Sequence, residues 1–353
     1  MSARSVAIGS LGVGGSFPVR VESMLRTPLE RTEECLEEAR VLNENGCELA
    51  RVAFPEAGLC RSLSSLLRES PMEIMADIHF DYRLAIKAIE GGCRSIRINP
   101  GNMAANSGLA ELCKKIIERG TVLRVGANGG SLSRAQIDNA GGNRVSALLA
   151  AVEGQIRILE SYGVEKIIMS LKSSSVNETL KANSLLVERF PYPVHVGLTE
   201  AGPGERGMIK SSVTLGSLLR SGIGDTIRIS LTGPAFEEVR VAKRILQSLG
   251  LRRFEVDLIS CPACGRRRAS VPDLVKLIEP LLGMLKPELT VAVMGCEVNG
   301  PQEASGADIG IAGTPSGLML FAKGKPLGAC SIDDLESRFL DICQRQGFIR
   351  PQK

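Results

Sequence analysis

Hydrophobic and polar positions repeat along the first two thirds of the chain as a short apolar run with strand spacing, followed by a longer stretch striped at helical spacing. After a hairpin over Ser5 to Ser10, eight such repeats are counted. The strand runs are Val19–Met24, Leu49–Phe54, Glu73–Ile78, Ser95–Asn99, Val122–Asn128, Lys166–Lys172, Pro193–Thr199 and Thr226–Leu231. Between them lie helical stretches such as Glu30–Asn45, Tyr82–Glu90, Ala110–Arg119, Ala147–Tyr162, Asn177–Arg189, Ile209–Arg220 and Glu237–Leu249. Gly46, Gly91, Gly120, Gly163, Gly222 and Gly250 stand where a left-handed C-terminal cap is expected. This alternation predicts an α/β fold, a parallel (β/α)8 or TIM barrel, with an open doubly wound sheet as the alternative.

A shorter pattern follows from Phe254. Strand-like Glu255–Ser260 leads to Cys261, helical Pro272–Leu285 leads to strand-like Thr290–Met294, and Ala307–Ala312, Leu318–Ala322 and a helix at Asp333–Gln346 complete it. The expected division is a barrel over residues 1–250 and a small α/β domain over 254–353, joined by a short hinge near Leu249–Phe254. A length of 353 residues suits a barrel of roughly 250 residues plus a domain of about 100.

Composition narrows the class without naming it. Hydrophobic residues at 44% and charged residues at 23% supply an ordinary core and give no case for disorder. A net charge of +4 does not announce a nucleic-acid partner. Ten cysteines, with no apolar segment after Met1-Ser2-Ala3-Arg4 and no run long enough to span a bilayer, point to a reducing, cytoplasmic setting and no membrane association. Gly12-Val13-Gly14-Gly15 has no phosphate-loop context and reads as a hairpin turn.

The chemistry gathers at the ends of the barrel strands. Arg51, Asp77 and His79, Arg97 and Asn99, Arg124 and Asn128, Ser170 and Lys172, Thr199 and Glu200, and Arg228 and Ser230 fall late in successive runs. Within most of these runs polar residues are two apart and separated by apolar ones, which turns the polar set inward and the apolar set toward the helices. Five desolvated cations, Arg51, Arg97, Arg124, Lys172 and Arg228, opposed by Asp77 and Glu200, would each cost several kcal/mol. A multiply charged anion such as a diphosphate resolves the imbalance, since guanidinium forks bind phosphate bidentately. Salt bridges to strand-end carboxylates are the alternative for any single arginine. His79 suits a general acid or base or a loop anchor, His195 a packed or supporting role. Lys210 and Asp225 are further candidates at or near that mouth, and Asn99-Pro100-Gly101-Asn102 also has the chemistry of a tight turn.

The second stretch of interest is Cys261-Pro262-Ala263-Cys264 together with Gly295-Cys296-Glu297-Val298-Asn299-Gly300-Pro301-Gln302-Glu303. Three soft thiolates and a carboxylate in one segment suit zinc or an iron–sulfur cluster. Both histidines, His79 and His195, lie far upstream, so a carboxylate is the expected fourth donor.

Ala76-Asp77-Ile78-His79-Phe80-Asp81-Tyr82, Arg97-Ile98-Asn99-Pro100-Gly101-Asn102, Thr199-Glu200-Ala201-Gly202, Gly222-Ile223-Gly224-Asp225-Thr226-Ile227-Arg228 and the cysteine motifs together resemble the 4-hydroxy-3-methylbut-2-enyl diphosphate synthases. These are iron–sulfur enzymes of the non-mevalonate isoprenoid pathway, and the resemblance is to their two-domain bacterial form. It implies a 4Fe-4S cluster on Cys261, Cys264, Cys296 and Glu303. It further implies that 2-C-methyl-D-erythritol 2,4-cyclodiphosphate binds at Arg51, Arg97, Arg124, Lys172, Arg228 and Ser230, with Asp77, His79, Asn99, Asn128, Thr199, Glu200 and Asn299 around it. Glu200, His79 and Glu303 are the implied catalytic residues, reduced flavodoxin or ferredoxin the electron donor, and a head-to-tail homodimer the assembly. Two departures stand out: Val21-Glu22-Ser23-Met24-Leu25 replaces the usual Val-Gln-Ser-Met-Thr, and Gln302 replaces a glycine. The competing readings are a zinc-containing barrel aldolase or pterin synthase acting on a phosphorylated substrate, and an RNA-binding zinc knuckle using Arg266, Arg267 and Arg268.

Overall fold

The computed structural model describes residues 2–103, 108–297 and 304–351. The chain divides into two compact units between Arg252 and Arg253.

The first unit opens with a hairpin, β1 (Ser5–Ile8) and β2 (Leu11–Gly14), paired Val6 to Val13 and Ile8 to Leu11. It is longer than the sequence pattern suggests. Gly12 to Gly14 lies within its second strand, and the turn falls at Gly9, whose φ of 56° favours a residue without a Cβ. The strands that follow are β3 (Arg20–Met24), β4 (Leu49–Ala53), β5 (Glu73–Phe80), β6 (Ser95–Met103), β7 (Val122–Asn128), β8 (Ile167–Lys172), β9 (His195–Val196), β10 (Gly202–Pro203), β11 (Thr226–Ile227) and β12 (Leu231–Thr232). Eight of them form a parallel sheet in the order β8-β7-β6-β5-β4-β3-β11-β9. A parallel bridge between Met169 and Val194 brings the two edges together, so the sheet closes as a TIM barrel.

Helices α1 (Thr32–Glu44), α2 (Cys60–Glu69), α3 (Tyr82–Glu90), α4 (Leu109–Arg119), α5 (Arg134–Asn139), α6 (Arg144–Ser161), α7 (Val176–Arg189), α8 (Gly204–Arg220) and α9 (Ala235–Ser248) fill the crossovers. The sequence pattern gives no bounds for two of these, α2 and α5. The core-facing stripe of α2 is only Leu63 and Leu66 among serines and arginines, and α5 is a single short turn with no buried residue. Helix α5 does carry a legible start signal, since Ser133 and Gln136 close a capping box. The cap after α3 shifts by one residue: Gly91 is helical at φ −69° and Gly92 takes the left-handed conformation at 104°. The last two predicted barrel strands shrink to two hydrogen-bonded residues each, β9 and β11. Gly197, just after β9, explains the close backbone approach there, because a Cβ at that position would lie 2.6 Å from the carbonyl oxygen of Arg228.

Inside the barrel, the hairpin decides which end is available. Val6, Ile8 and Val13 pack with Leu49, Met75, Val122 and Ile168, the early inward residues of four strands. Burying this apolar plug seals the end where the strands begin. The polar residues two positions further along, Arg51, Asp77, Arg124 and Ser170, stand on the side of the strand C-termini, where barrel enzymes carry their chemistry.

The second unit is a five-stranded sheet, β13 (Asp257–Ser260), β14 (Thr290–Met294), β15 (Ile309–Thr314), β16 (Gly317–Ala322) and β17 (Lys325–Cys330), parallel across the first three strands and antiparallel thereafter. Helices α10 (Val271–Leu282) and α11 (Leu335–Arg345) bury Val271, Leu274, Ile278, Leu335 and Phe339 against one face of this sheet. Edge strand β17 has no counterpart in the sequence reading, because Lys325-Pro326-Leu327-Gly328 shows no apolar alternation. Among the described residues no helix is long and apolar enough to cross a membrane.

Candidate active site

The inward residues of the barrel form one buried ionic network. Arg51, Asp77, Arg97, Asn99, Arg124 and Lys172 are all buried, the most exposed of them, Arg51, at 8%. Asp77 takes Arg51 Nε at 3.1 Å on one oxygen and Arg97 Nη1 at 2.9 Å on the other, with His79 Nε2 3.6 Å away. Burial alone would raise the Asp77 carboxyl, but Arg51, the His79 hydrogen bond and Arg97 hold it well below the usual carboxylate range. Asn99 donates to Ser131 Oγ at 2.9 Å, and Ser131 in turn donates to the carbonyl of Asn128, so two of the expected site residues share one anchored loop.

Two carboxylates missing from the expected charge balance complete the network. Glu22, on β3, is 1% exposed and meets Arg124 Nη1 at 2.5 Å, His195 Nδ1 at 3.3 Å and Arg51 Nη1 at 3.9 Å. Strands β3 and β7 are four places apart in an eight-stranded ring, so Glu22 and Arg124 meet straight across the interior. Burial opposes ionisation of Glu22, yet Arg124 and Arg51 keep its proton affinity below the ordinary value. Arg124 is pulled down to about 10, first by burial, against the pull of Glu22. Glu238, on α9, accepts Arg26 at 2.9 Å and the backbone of Leu231 at 2.9 Å, and lies 3.7 Å from Arg228 Nε. The expectation that Asp77 and Glu200 alone oppose the cations is therefore corrected. Glu22 was legible as a charge inside an apolar run, whereas Glu238 reads on sequence as the solvent face of a helix.

His195 is fully buried, with Nε2 at 2.7 Å from Lys172 Nζ and Nδ1 at 2.7 Å from Thr226 Oγ1. Arg228 and Ser230 are half-buried after β11. Glu200 is exposed and holds a left-handed φ of 52°, a conformation that costs a non-glycine residue about 1 kcal/mol or more. Thr199 beside it is half-buried. Asp225 is corrected to the opposite end: it precedes β11, accepts from Val194 N at 2.8 Å, and anchors the start of the chain through Ser2. Lys210 reaches the carbonyl of Ser174 at 3.3 Å. Asn299 and Glu303 lie outside the described residues.

In the second unit, Cys261 and Cys296 directly follow or nearly follow the ends of β13 and β14, and Cys264 is exposed one turn beyond Cys261. All three are free thiols, and Cys261 Sγ accepts the backbone N–H of Gly295 at 3.1 Å. Ala263, between the paired cysteines, takes a left-handed φ of 60°. A Cβ on Gly295 would lie 3.1 Å from Val271 Cγ2 and in ordinary contact, at 3.4 Å, with Cys261 Sγ. Among the described residues no three His, Cys, Asp or Glu side chains gather as they would around a single metal ion. Thiolate donors of this kind suit zinc or an iron–sulfur cluster.

A family model described as the GcpE TIM-barrel domain matches residues 3–243, and one described as the GcpE protein C-terminal domain matches residues 257–345. The chain belongs to the GcpE family. Among GcpE relatives, 4-hydroxy-3-methylbut-2-en-1-yl diphosphate synthase (flavodoxin) of Natranaerobius thermophilus is 46% identical over 320 residues, covering 91% of this chain and 90% of the relative. Proteins of the same name from Caldanaerobacter subterraneus and Geobacter sulfurreducens are 44% and 42% identical, each over 91% of both chains. Among solved structures, Yersinia pestis dihydropteroate synthase superposes with a TM-score of 0.50 at 13% identity, covering 70% of this chain and 98% of the other. At that identity the likeness shows the barrel fold alone. The pterin-synthase, aldolase and RNA-knuckle alternatives gain no support from these comparisons.

Proposed function

We propose that this GcpE-family chain converts 2-C-methyl-D-erythritol 2,4-cyclodiphosphate to 4-hydroxy-3-methylbut-2-enyl diphosphate by reductive ring opening and dehydration. The observation that carries the reading is the barrel interior of a chain so closely related to the named synthases: five buried or half-buried cations, Arg51, Arg97, Arg124, Lys172 and Arg228, against three carboxylates, Glu22, Asp77 and Glu238. Such an excess of positive charge, walled by low-dielectric strands, favours a polyanion over neutral or singly charged ligands.

The reaction needs two electrons and one proton. A carbon–oxygen bond to the diphosphate opens, the oxygen stays on phosphorus as one added negative charge, and a hydroxyl leaves as water. A 4Fe-4S cluster held by Cys261, Cys264, Cys296 and Glu303 would supply the electrons singly when bound, refilled by reduced flavodoxin or ferredoxin. Arg51, Arg97, Lys172 and Arg228 grip the phosphates and stabilise the charge that ring opening releases onto them. Arg124 adds its field but is held by Glu22. Asn99, Asn128 and Ser230 orient the polyol, and Thr199 and Glu200 flank it on the loop after β9. His79, poised beside Asp77, or the exposed Glu200 delivers the proton. Asn299 is a substrate-pocket residue near the cluster in this reading, and a head-to-tail homodimer completes the site from two chains.

Anaerobic purification tests the cofactor: about four irons per chain in a brown protein are expected. Incubation with the cyclodiphosphate and a reduced viologen dye tests the reaction. A colourless protein carrying one zinc, or an iron-loaded protein that leaves the cyclodiphosphate unchanged, overturns the proposal.

A further inference from the structure

Each carboxylate of the barrel network is already engaged. Asp77 serves Arg51 and Arg97, Glu22 serves Arg124 and His195, and Glu238 serves Arg26 with Arg228 close by. Lys172 is the cation left over. Among the described residues it pairs with no carboxylate, and its Nζ lies 2.7 Å from His195 Nε2. A nitrogen–nitrogen contact of that length holds one proton between two lone pairs, so only one of the two nitrogens can donate. On the other side of the ring, Nδ1 faces the Glu22 carboxylate, which only accepts, and the Thr226 hydroxyl. That fixes the tautomer with the proton on Nδ1, leaving Nε2 to accept from Lys172. The pair therefore carries a single positive charge at most.

Whether it carries even one depends on what surrounds it. Arg51 on β4, Arg97 on β6, Arg124 on β7 and Arg228 after β11 are cationic; Glu22 on β3, Asp77 on β5 and Glu238 on α9 are anionic, and His79 sits beside Asp77. Burial drives both Lys172 and His195 toward their neutral forms, and Arg51, Arg124 and Arg228 add to that for each. With Lys172 charged, the named groups sum to five cations against three anions in a space closed to water at one end.

We propose that the Lys172–His195 pair is uncharged in the anion-free barrel and takes up one proton as a polyanion enters, so that diphosphate recognition is coupled to proton uptake and His195 is the positioning residue that holds Lys172 for it. No covalent step is involved. The proton comes from solvent with the ligand, forms the third N–H bond of Lys172, and leaves when the ligand does. His195 keeps the amine pinned by one hydrogen bond, so the remaining N–H bonds are free for phosphate oxygens. This rests on the reading of the barrel as a diphosphate site, and the choice of ligands separates the two.

The test is titration calorimetry on the cluster-loaded, oxidised enzyme without electron donor, at about pH 8, in buffers of different ionisation enthalpy. The ligands are sulfate and, separately, the cyclodiphosphate; neither carries a group that titrates near neutrality. Uptake of about one proton per bound anion is expected, with affinity falling about tenfold per pH unit as pH rises. Lys172→Arg, permanently charged, should bind sulfate with uptake near zero. His195→Gln keeps an acceptor for Lys172 and should bind within a few-fold of the parent, while His195→Leu should bind at least about tenfold more weakly. Anion binding by the parent without proton uptake overturns the proposal, as does uptake that persists in Lys172→Arg or failure of both anions to bind. The parent measurement decides even where a variant does not fold. Sulfate binding with uptake but no cyclodiphosphate binding would retain the proton coupling and refute the substrate.

Discussion

Replacing Glu22 with glutamine removes one negative charge from the barrel and almost nothing else. The carboxylate it deletes is 1% exposed, with Arg124, His195 and Arg51 within 2.5, 3.3 and 3.9 Å. Arg124 is itself 1% exposed and has no other carboxylate partner among the described residues, so Glu22→Gln strands a fully desolvated guanidinium. Breaking a buried pair on one side costs about 3–5 kcal/mol. For a unit of this size that lowers the melting temperature by about 6–20 °C. The assay is thermal unfolding followed by circular dichroism in chloride buffer, alongside Arg124→Met and the double variant. Because the two side chains form one unit, the double variant should cost less than the sum of the singles by about 1–3 kcal/mol. Sulfate, by supplying the missing charge, should recover part of the lost stability, and the Michaelis constant for the cyclodiphosphate should fall or hold. A melting temperature within about 2 °C of the parent, or strict additivity in the double variant, would refute the account of Glu22 as the counter-ion of the barrel.

Other outcomes follow from separate parts of the molecule. Asp77 has a depressed folded-state proton affinity, so its contribution to stability is present above about pH 4 and is lost as pH falls toward its folded value; the gap in melting temperature between parent and Asp77→Asn should therefore be widest near neutrality and close on acidification. Arg97→Leu, which leaves Asp77 with Arg51 alone among the arginines, should raise the Michaelis constant for the cyclodiphosphate at least about tenfold in steady-state assays, corresponding to the loss of one charge-assisted contact of about 1.5–3 kcal/mol. Serine at Cys261, Cys264 or Cys296 should cut iron content and visible absorbance while leaving the barrel's anion affinity in place, because the cysteines belong to the other compact unit. Gly207→Ala would put a methyl 2.3 Å from the carbonyl oxygen of Gly202 and 2.6 Å from Leu231 Cδ2, so α8 must shift against the β10 and β12 loops; about 1–3 kcal/mol of stability and most of the turnover should be lost, since those loops adjoin Thr199, Glu200 and Ser230.

The sequence by itself determined the periodicities, and with them the barrel, the second domain and the polar residues at the strand ends, because side-chain direction in a strand alternates regardless of what lies opposite. Arg51, Asp77, Arg97, Asn99, Arg124 and Lys172 were found that way. Short or weakly striped elements escaped it: α2, α5 and β17 bury too few apolar side chains at a fixed spacing to leave a pattern. The tertiary structure alone decided the pairing. Glu22 and Arg124 are 102 positions apart in sequence and meet only because closing eight strands sets β3 opposite β7. Asp225, one residue before the predicted start of its strand and three before Arg228, anchors the far end of the barrel. Lys172 came to rest on a histidine because every nearby carboxylate had been claimed from another strand. Local pattern sets which way a side chain points, but charge balance is a sum over all the strands that face one interior, and that sum exists only once the ring is shut.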